Sequence, residues 1–183
     1  MEIIKQVLTD AFVLLPRTFE DNRGYFYESF NQKAFEDAIG QNIEFVQDNQ
    51  SLSSQGTLRG LHFQTGVKAQ SKLERVTQGA AYDVAVDLRP NSPTFKKWYG
   101  IELNEKNHLQ FFIPRGFAHA FVALTDNTIF QYKVDNYYSK ENDEGVLWND
   151  EELHIVWPKL ELALSKKDEN LPNLNKLNFN NLW

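Results

Sequence analysis

Between residues 43 and 134 the period of the sequence shifts toward two, in eight short apolar-rich runs separated by turn-forming residues. The runs span 43–49, 57–64, 73–78, 81–88, 98–103, 109–114, 119–124 and 128–134. A period of two sends alternate side chains to opposite faces of a strand, so each run has a face to bury against other strands. The intervals at 51–56, 65–66, 78–79, 89–93, 104–107, 115–116 and 125–127 hold the Gly, Pro, Asn, Asp, Ser and Thr that tight turns use. Many short strands at near-regular spacing predict an all-β fold, a closed barrel or a jelly roll. The 14 Phe, 7 Tyr and 4 Trp point the same way, because flat side chains pack well on a pleated surface.

One segment follows the helical period instead. Phe30, Ala34, Phe35, Ala38 and Ile39 fall on one face, with Asn31 set to cap the start and Gly40 to stop the end. From Asp135 the chain turns Tyr- and Trp-rich, passes Pro158 and becomes polar over 165–181. This tail is predicted to wrap the barrel with short helical turns, and its Asn-rich end after Asn170 to fray. No repeat, low-complexity tract or linker divides the chain, and 183 residues suit one core. The expected organisation is one domain, 1–183: an N-terminal arm, helix and first strand (1–50), a barrel core (51–135) and a C-terminal wrap (136–183).

A net charge of −6 argues against non-specific nucleic-acid binding, which needs broad positive potential. It leaves room for a small anionic ligand, since a few arginines in a cleft reverse the field locally. The absence of cysteine excludes disulfides, iron–sulfur ligation and thiolate zinc sites. Residues 1–10 include Glu2, Lys5, Gln6 and Asp10 and cannot form the apolar stretch of a signal peptide. No apolar run is long enough to span a bilayer. A soluble, cytoplasmic protein with no membrane partner is expected.

The chemistry-bearing residues gather on two strands. His62 lies inside the apolar run 58–64, and His119 follows the turn Pro114-Arg115-Gly116. A lone histidine on an apolar strand is most often a satisfied core residue. A small barrel holding His62, His119, Lys72, Arg59 and Asp83 together would be a poor core unless it bound something. His108, beside a turn, and His154, among acids, read as surface residues. The spacing resembles the two-motif layout of cupins, whose metal site needs His-x-His, a later Glu, and a further His after a Pro-x-Gly turn. Here Gln64 replaces the second His and Lys72 stands near the carboxylate position, so neither metal nor cofactor is expected. An ordinary lysine at 72 would snorkel to the surface; the alternative is a Lys72–Asp83 pair across the hairpin, keeping the ammonium charged. Asp87 and Arg89 are expected to hold the following turn. Alternation sends Phe130 and Tyr132 to one side, where Tyr132 is either structural or a phenol facing a ligand.

The ordered set of Phe45-Val46-Gln47-Asp48-Asn49, 58–64, 70–73, 83–88 with Ser92-Pro93-Thr94-Phe95, and 113–121 resembles the dTDP-4-dehydrorhamnose 3,5-epimerases. So do Tyr132-Lys133, Tyr137-Tyr138, Trp148-Asn149-Asp150, Ile155-Val156-Trp157-Pro158 and Leu164-Ser165-Lys166-Lys167-Asp168, and the likeness covers 12–172. The resemblance implies a metal-free cupin-like jelly roll, with a short N-terminal helix and short C-terminal helical turns, acting as a homodimer on a dTDP-linked 4-keto-6-deoxy sugar. It implies His62 as the base in a dyad with Asp168, Lys72 as the enolate stabiliser and Tyr132 as the acid on the far face. It further implies Arg23, Arg59, His119 and Lys167 around the diphosphate and sugar, with Glu28, Gln47, Asp48, Asn49 and Tyr138 at the nucleotide. In such a dimer the partner's N-terminal arm supplies part of the nucleotide site. The chain departs from the family pattern at Ser71 and Ala120, where Gly is usual, and at Asp143, a substrate-binding position where Glu is usual. Glu74-Arg75 is more charged than the usual apolar continuation.

Elementary chemistry agrees. A C4 ketone acidifies the C–H bonds at C3 and C5, so one base beside one ketone can invert both centres. Histidine suits the base because its ordinary pKa, about 6.5, lies near operating pH. Inversion also needs a second acid on the opposite face. A guanidinium fork, as on Arg23 and Arg59, suits a diphosphate. Three rivals stay open at the level of sequence: a 3- or 5-monoepimerase of another deoxysugar nucleotide, a metal-dependent cupin, and a non-catalytic sugar-binding cupin.

Overall fold

The computed structural model describes residues 1–179. Two antiparallel sheets face each other, as in a cupin-like jelly roll. The first contains β1 (Glu2–Leu8), β2 (Ala11–Leu15), β10 (Gln110–Ile113), β7 (Lys72–Gln78), β12 (Thr128–Val134) and β5 (Gln47–Ser53), in that spatial order. The second runs β13 (Asp143–Gly145), β6 (Leu58–Gln64), β11 (Phe117–Ala123), β8 (Ala80–Asp87) and β9 (Trp98–Asn104). A separate ribbon pairs β3 (Thr18–Asp21) with β4 (Gly24–Tyr27).

Between the sheets, Phe111, Phe121 and Phe130 are buried with Leu103, Ala85 and Val76. Phe121 of one sheet and Phe130 of the other stack at 4.1 Å with their planes within 1°. The outer faces are covered too. Helix α1 (Gln32–Ile39) lays Phe35 and Ile39 on Phe12, Leu14, Leu73 and Phe112 of the first sheet. The C-terminal segment covers the second sheet, with Val146, Leu153, Leu174 and Trp157 against Leu61, Phe63, Val84 and Ala118. Burial on both faces explains why β11 is buried at every position. The α1 ends are as the sequence predicts: Asn31 accepts from the Ala34 N–H at 3.0 Å, and Gly40 takes the left-handed conformation at φ 68°.

The differences from the sequence reading have local causes. The run predicted at 43–49 becomes a strand only from Gln47 and continues to Ser53, because Ile43 and Phe45 pack with α1. No strand was expected ahead of the helix, and there are four, β1 to β4. The exposed faces of β1 and above all of the ribbon leave little alternation to read, and β2, buried almost throughout, is an unbroken apolar run without alternation. The three-residue β13 was also unforeseen. The tail does wrap the barrel through α2 (Lys166–Glu169) and single helical turns. The predicted fraying after Asn170 is not found up to 179: Leu174 is fully buried and Phe179 meets Phe95 edge-on at 5.2 Å. Residues 180–183 of that prediction lie outside the described residues. His154 is exposed, whereas His108 is half-buried and tilts against Tyr25 and Tyr27 at 4.7 and 4.9 Å. Asp87 and Arg89 hold their turn as expected, with Ser92 and Thr94 also donating to Asp87. Among the described residues no helix is long and apolar enough to cross a membrane.

Candidate active site

Beside the phenylalanine stack, a cavity of about 450 Å³ opens between the sheets. Alternation along β7 turns Lys72 inward, and along β12 it turns Tyr132 the same way as Phe130. From the opposite sheet come His62 on β6 and His119 on β11, which are register partners. Arg59, Asn49, Tyr138, Asp143, Lys167 and Asp168 complete the wall.

His62 Nε2 lies 2.5 Å from Asp168 Oδ1. Asp168 is held in turn by the first turn of α2: Ser165 Oγ accepts from the Asp168 N–H at 3.1 Å and donates to Oδ2 at 2.8 Å. This Ser-x-x-Asp capping spacing was readable in the sequence as a support for Asp168, and was missed. Burial raises the Asp168 carboxyl, but hydrogen bonds from His62 and Ser165 and the charge of Lys167 outweigh it and hold the group below the usual aspartate range. An ionised Asp168 accepts the Nε2–H and leaves Nδ1 as the basic nitrogen of His62.

Lys72 is 9% exposed, and its Nζ stands 3.4 Å from His119 Nδ1. The expected Lys72–Asp83 pair is not formed directly. His119 comes between them, because Asp83 Oδ1 is taken by His119 Nε2 at 2.5 Å. Burial lowers the Lys72 pKa, while the charges of Glu74, Asp83 and Asp143 pull it back up. Burial also pushes His119 down to about 4, against the pull of Asp83, so this imidazole is neutral near pH 7. Tyr132 is pushed up to about 12, first by burial and then by Glu74 and Asp143, and keeps its proton. Its ring centroid is 5.7 Å from Lys72 Nζ.

The remaining expected residues divide. Gln47 accepts from the Tyr138 N–H at 3.4 Å and donates to Asn49 at 2.8 Å, tying the β5 end of the pocket to Tyr138. Asp143 reaches both Tyr138 Oη at 3.0 Å and Lys167 Nζ at 2.5 Å despite being shorter than the usual Glu. Gln64 lines the cavity two residues along β6 from His62 and accepts from the Ser139 N–H at 2.9 Å. Ala120 is accommodated by Gly60 (φ 125°), whose missing Cβ would stand 2.5 Å from the Ala120 methyl. Four expected binding residues do not line the cavity within this chain, Gln47 among them. Arg23 sits at the ribbon tip, clamped to Asp21 at 2.5 Å. Glu28 is exposed and accepts from Asn31, and Asp48 pairs with Lys133 at 2.8 Å.

Glu74 and Asp83 lie beneath the cavity wall; Asp83 was expected among the polar residues inside the barrel, and Glu74 was not. The charged departure at 74 was the only signal for Glu74. Among the described residues, Glu74, Asp83 and His119 bring ligand-type atoms within 4.8 Å of one another. Two ligands of one zinc or magnesium ion stand about 3 Å apart or more. The separations of 2.5 and 2.7 Å to the shared His119 nitrogen suit protons instead.

A family model described as dTDP-4-dehydrorhamnose 3,5-epimerase matches residues 5–176. The Escherichia coli (strain K12) protein of that name is 54% identical over 178 residues, covering 97% of this chain and 96% of its own. The Bacillus anthracis enzyme, solved with TDP and pyrophosphate bound, is 55% identical, with 94% and 99% of the two chains covered and a TM-score of 0.92. A Legionella pneumophila 3,5-epimerase in complex with dTDP-4-keto-L-rhamnose is 41% identical, covers 99% and 96%, and has a TM-score of 0.94. With the family pattern matched over nearly its whole length and carried by the same fold, this chain belongs to the dTDP-4-dehydrorhamnose 3,5-epimerases, which are isomerases.

Proposed function

We propose that the chain inverts C3 and C5 of dTDP-4-dehydro-6-deoxy-D-glucose to give dTDP-4-dehydro-L-rhamnose. One observation carries the mechanism: His62 and Tyr132 belong to opposite sheets and face one cavity, with Lys72 on the same wall as Tyr132. His62 Nδ1 takes the proton from the carbon beside the ketone, and the C–H electron pair moves to the C4 oxygen as an enolate. The Asp168 carboxylate steadies the imidazolium that forms. Lys72, itself buried, meets the enolate charge. The Tyr132 phenol, protonated because its pKa is raised, delivers its proton to the opposite face of the same carbon. Solvent then restores the phenol and takes the proton from His62, and the cycle repeats at the second centre.

The nucleotide lies against Tyr138, Asn49 and Gln47, and the diphosphate against Arg59 and Lys167, with His119 and Asp143 toward the sugar. Arg23, Glu28 and Asp48 act on a neighbouring site in a homodimer, which accounts for their distance from this chain's own cavity. The chemistry needs neither a cofactor nor a metal, and the reading is of a cytoplasmic enzyme. The test is incubation with the dTDP-4-keto-6-deoxyglucose nucleotide in D2O, following C3 and C5 by NMR. Deuterium at both centres with the L-rhamno product is expected. Inversion at one centre only would make the chain a monoepimerase, and binding without exchange would make it a sugar-binding cupin.

A further inference from the structure

Glu74 has no part in the chemistry above, yet it is a fully buried carboxyl beside it. It stands on β7, two residues from Lys72, and so projects between the sheets on the same side. Its cross-strand neighbours are Phe111 on β10 and Tyr132 on β12. It does not line the cavity. Glu74 Oε2 lies 2.7 Å from His119 Nε2, the same nitrogen that meets Asp83 Oδ1 at 2.5 Å. A neutral imidazole has one N–H there, and it bonds Asp83. Both Glu74 oxygens and Asp83 Oδ2 are left without a hydrogen-bond partner, all three out of contact with water. Three orphaned acceptors in one dry cluster lack a donor, and two carboxylates this close cannot both ionise cheaply. A proton kept on the pair supplies the donor and removes the second charge.

We propose that Glu74 is a positioning residue that shares one proton with Asp83, the pair gripping the Nε2–H of His119 so that Nδ1 stays turned toward Lys72. The ionisable groups facing it are Lys72 on β7, Asp83 on β8, His119 on β11 and Tyr132 on β12; β10 offers only Gln110, Phe111, Phe112 and Ile113. Burial is the first cause that raises both Glu74 and Asp83 above the usual carboxylate range; the Lys72 charge opposes it at Glu74, and the Glu74 charge adds to it at Asp83. Losing the shared proton puts a second negative charge beneath Lys72 and opposes the enolate charge that Lys72 meets. This last step rests on the epimerase reading; the shared proton itself does not.

The experiment compares wild type, Glu74→Gln and Glu74→Val in two measurements. The first is kcat and KM against pH, from about pH 6 to 9. Wild-type kcat is expected to fall about tenfold as the pair titrates, the rate equivalent of one pK unit, with KM nearly constant. Glu74→Gln is neutral throughout and nearly isosteric, and should lack this fall; Glu74→Val should lack it too. The second measurement is the infrared carbonyl band of a protonated carboxylic acid in substrate-free protein. The band should be present in wild type at pH 6, vanish by pH 9 and be missing from Glu74→Gln. A wild type without the band, or the same kcat profile in wild type and Glu74→Gln, overturns the proposal. If none of the proteins turns over, the epimerase reading fails and the infrared band still decides the shared proton. Should Glu74→Gln not fold, the wild-type band, its titration and Glu74→Val decide.

Discussion

At the scale of single residues, the proposed mechanism separates two events that are usually measured together. Proton removal precedes both exchange and inversion, so His62→Asn should abolish deuterium uptake at C3 and C5 alike. A general base contributes ~10²–10⁴-fold, which leaves residual exchange barely measurable. Tyr132→Phe removes only the far-side donor and hardly changes volume. The enolate should still form and regain a proton on its original face, so exchange should outlast inversion in a time course followed by NMR. Wild-type inversion in Tyr132→Phe would make the tyrosine structural. These residues were legible because polar side chains on apolar strands are conspicuous, as with His62, Lys72 and His119. Their contacts were less so. That His119 separates Lys72 from Asp83, and that Glu74 lies at the same nitrogen, depends on which strands pair and in what register. A sequence does not print that register. Burial adds the rest, since it is burial that leaves His119 neutral and raises Glu74 and Asp83.

At the scale of elements, short caps hold functional pieces in place. Asn31→Ala removes the cap of α1 and should cost about 1 kcal/mol in chemical denaturation, with kcat unchanged, because α1 lies outside the cavity. Ser165→Ala should behave differently. It removes the cap of a single-turn helix and the hydroxyl donor to Asp168 together, so kcat should fall while the denaturation midpoint moves little. A loss of stability comparable to that of Asn31→Ala with kcat intact would contradict this. The core strands β6 to β12 were legible within a few residues, since they are short apolar-rich runs bounded by turn residues. The N-terminal strands were not: β3 and β4 bury little, and hydrogen bonding alone leaves no pattern in composition. The strand predicted from 43 failed at its start for the opposite reason, because Ile43 and Phe45 are apolar on account of a helix rather than a sheet.

At the scale of the whole molecule, the ribbon meets His108 through Tyr25 and Tyr27 and leaves Phe19, Tyr25 and Phe26 at least half exposed. Its placement suits an arm that completes a neighbour's site. An equal mixture of Arg23→Ala and His62→Asn subunits, shown to exchange, should recover about a quarter of wild-type activity, since half the dimers are mixed and each carries one intact site. No recovery would count against sharing. Global stability should also register Glu74. Its folded pKa is raised from the ordinary value of about 4.5 to about 7, so its contribution is complete below pH 4.5 and is lost as pH rises through 7. Relative to Glu74→Gln, wild type should therefore lose on the order of 3 kcal/mol across that window in denaturant titrations at successive pH values. The Phe121–Phe130 stack has a different significance. One ring belongs to the wall that carries the base and the other to the wall that carries the acid. The pair works as a calliper, setting how far a carbon must travel between losing one proton and gaining another. A misplacement of about 1 Å can cost on the order of 10²-fold in rate. Phe121→Leu should thus alter the partition between retention and inversion before it alters substrate affinity, so that the stereochemical outcome gauges the spacing of the two walls.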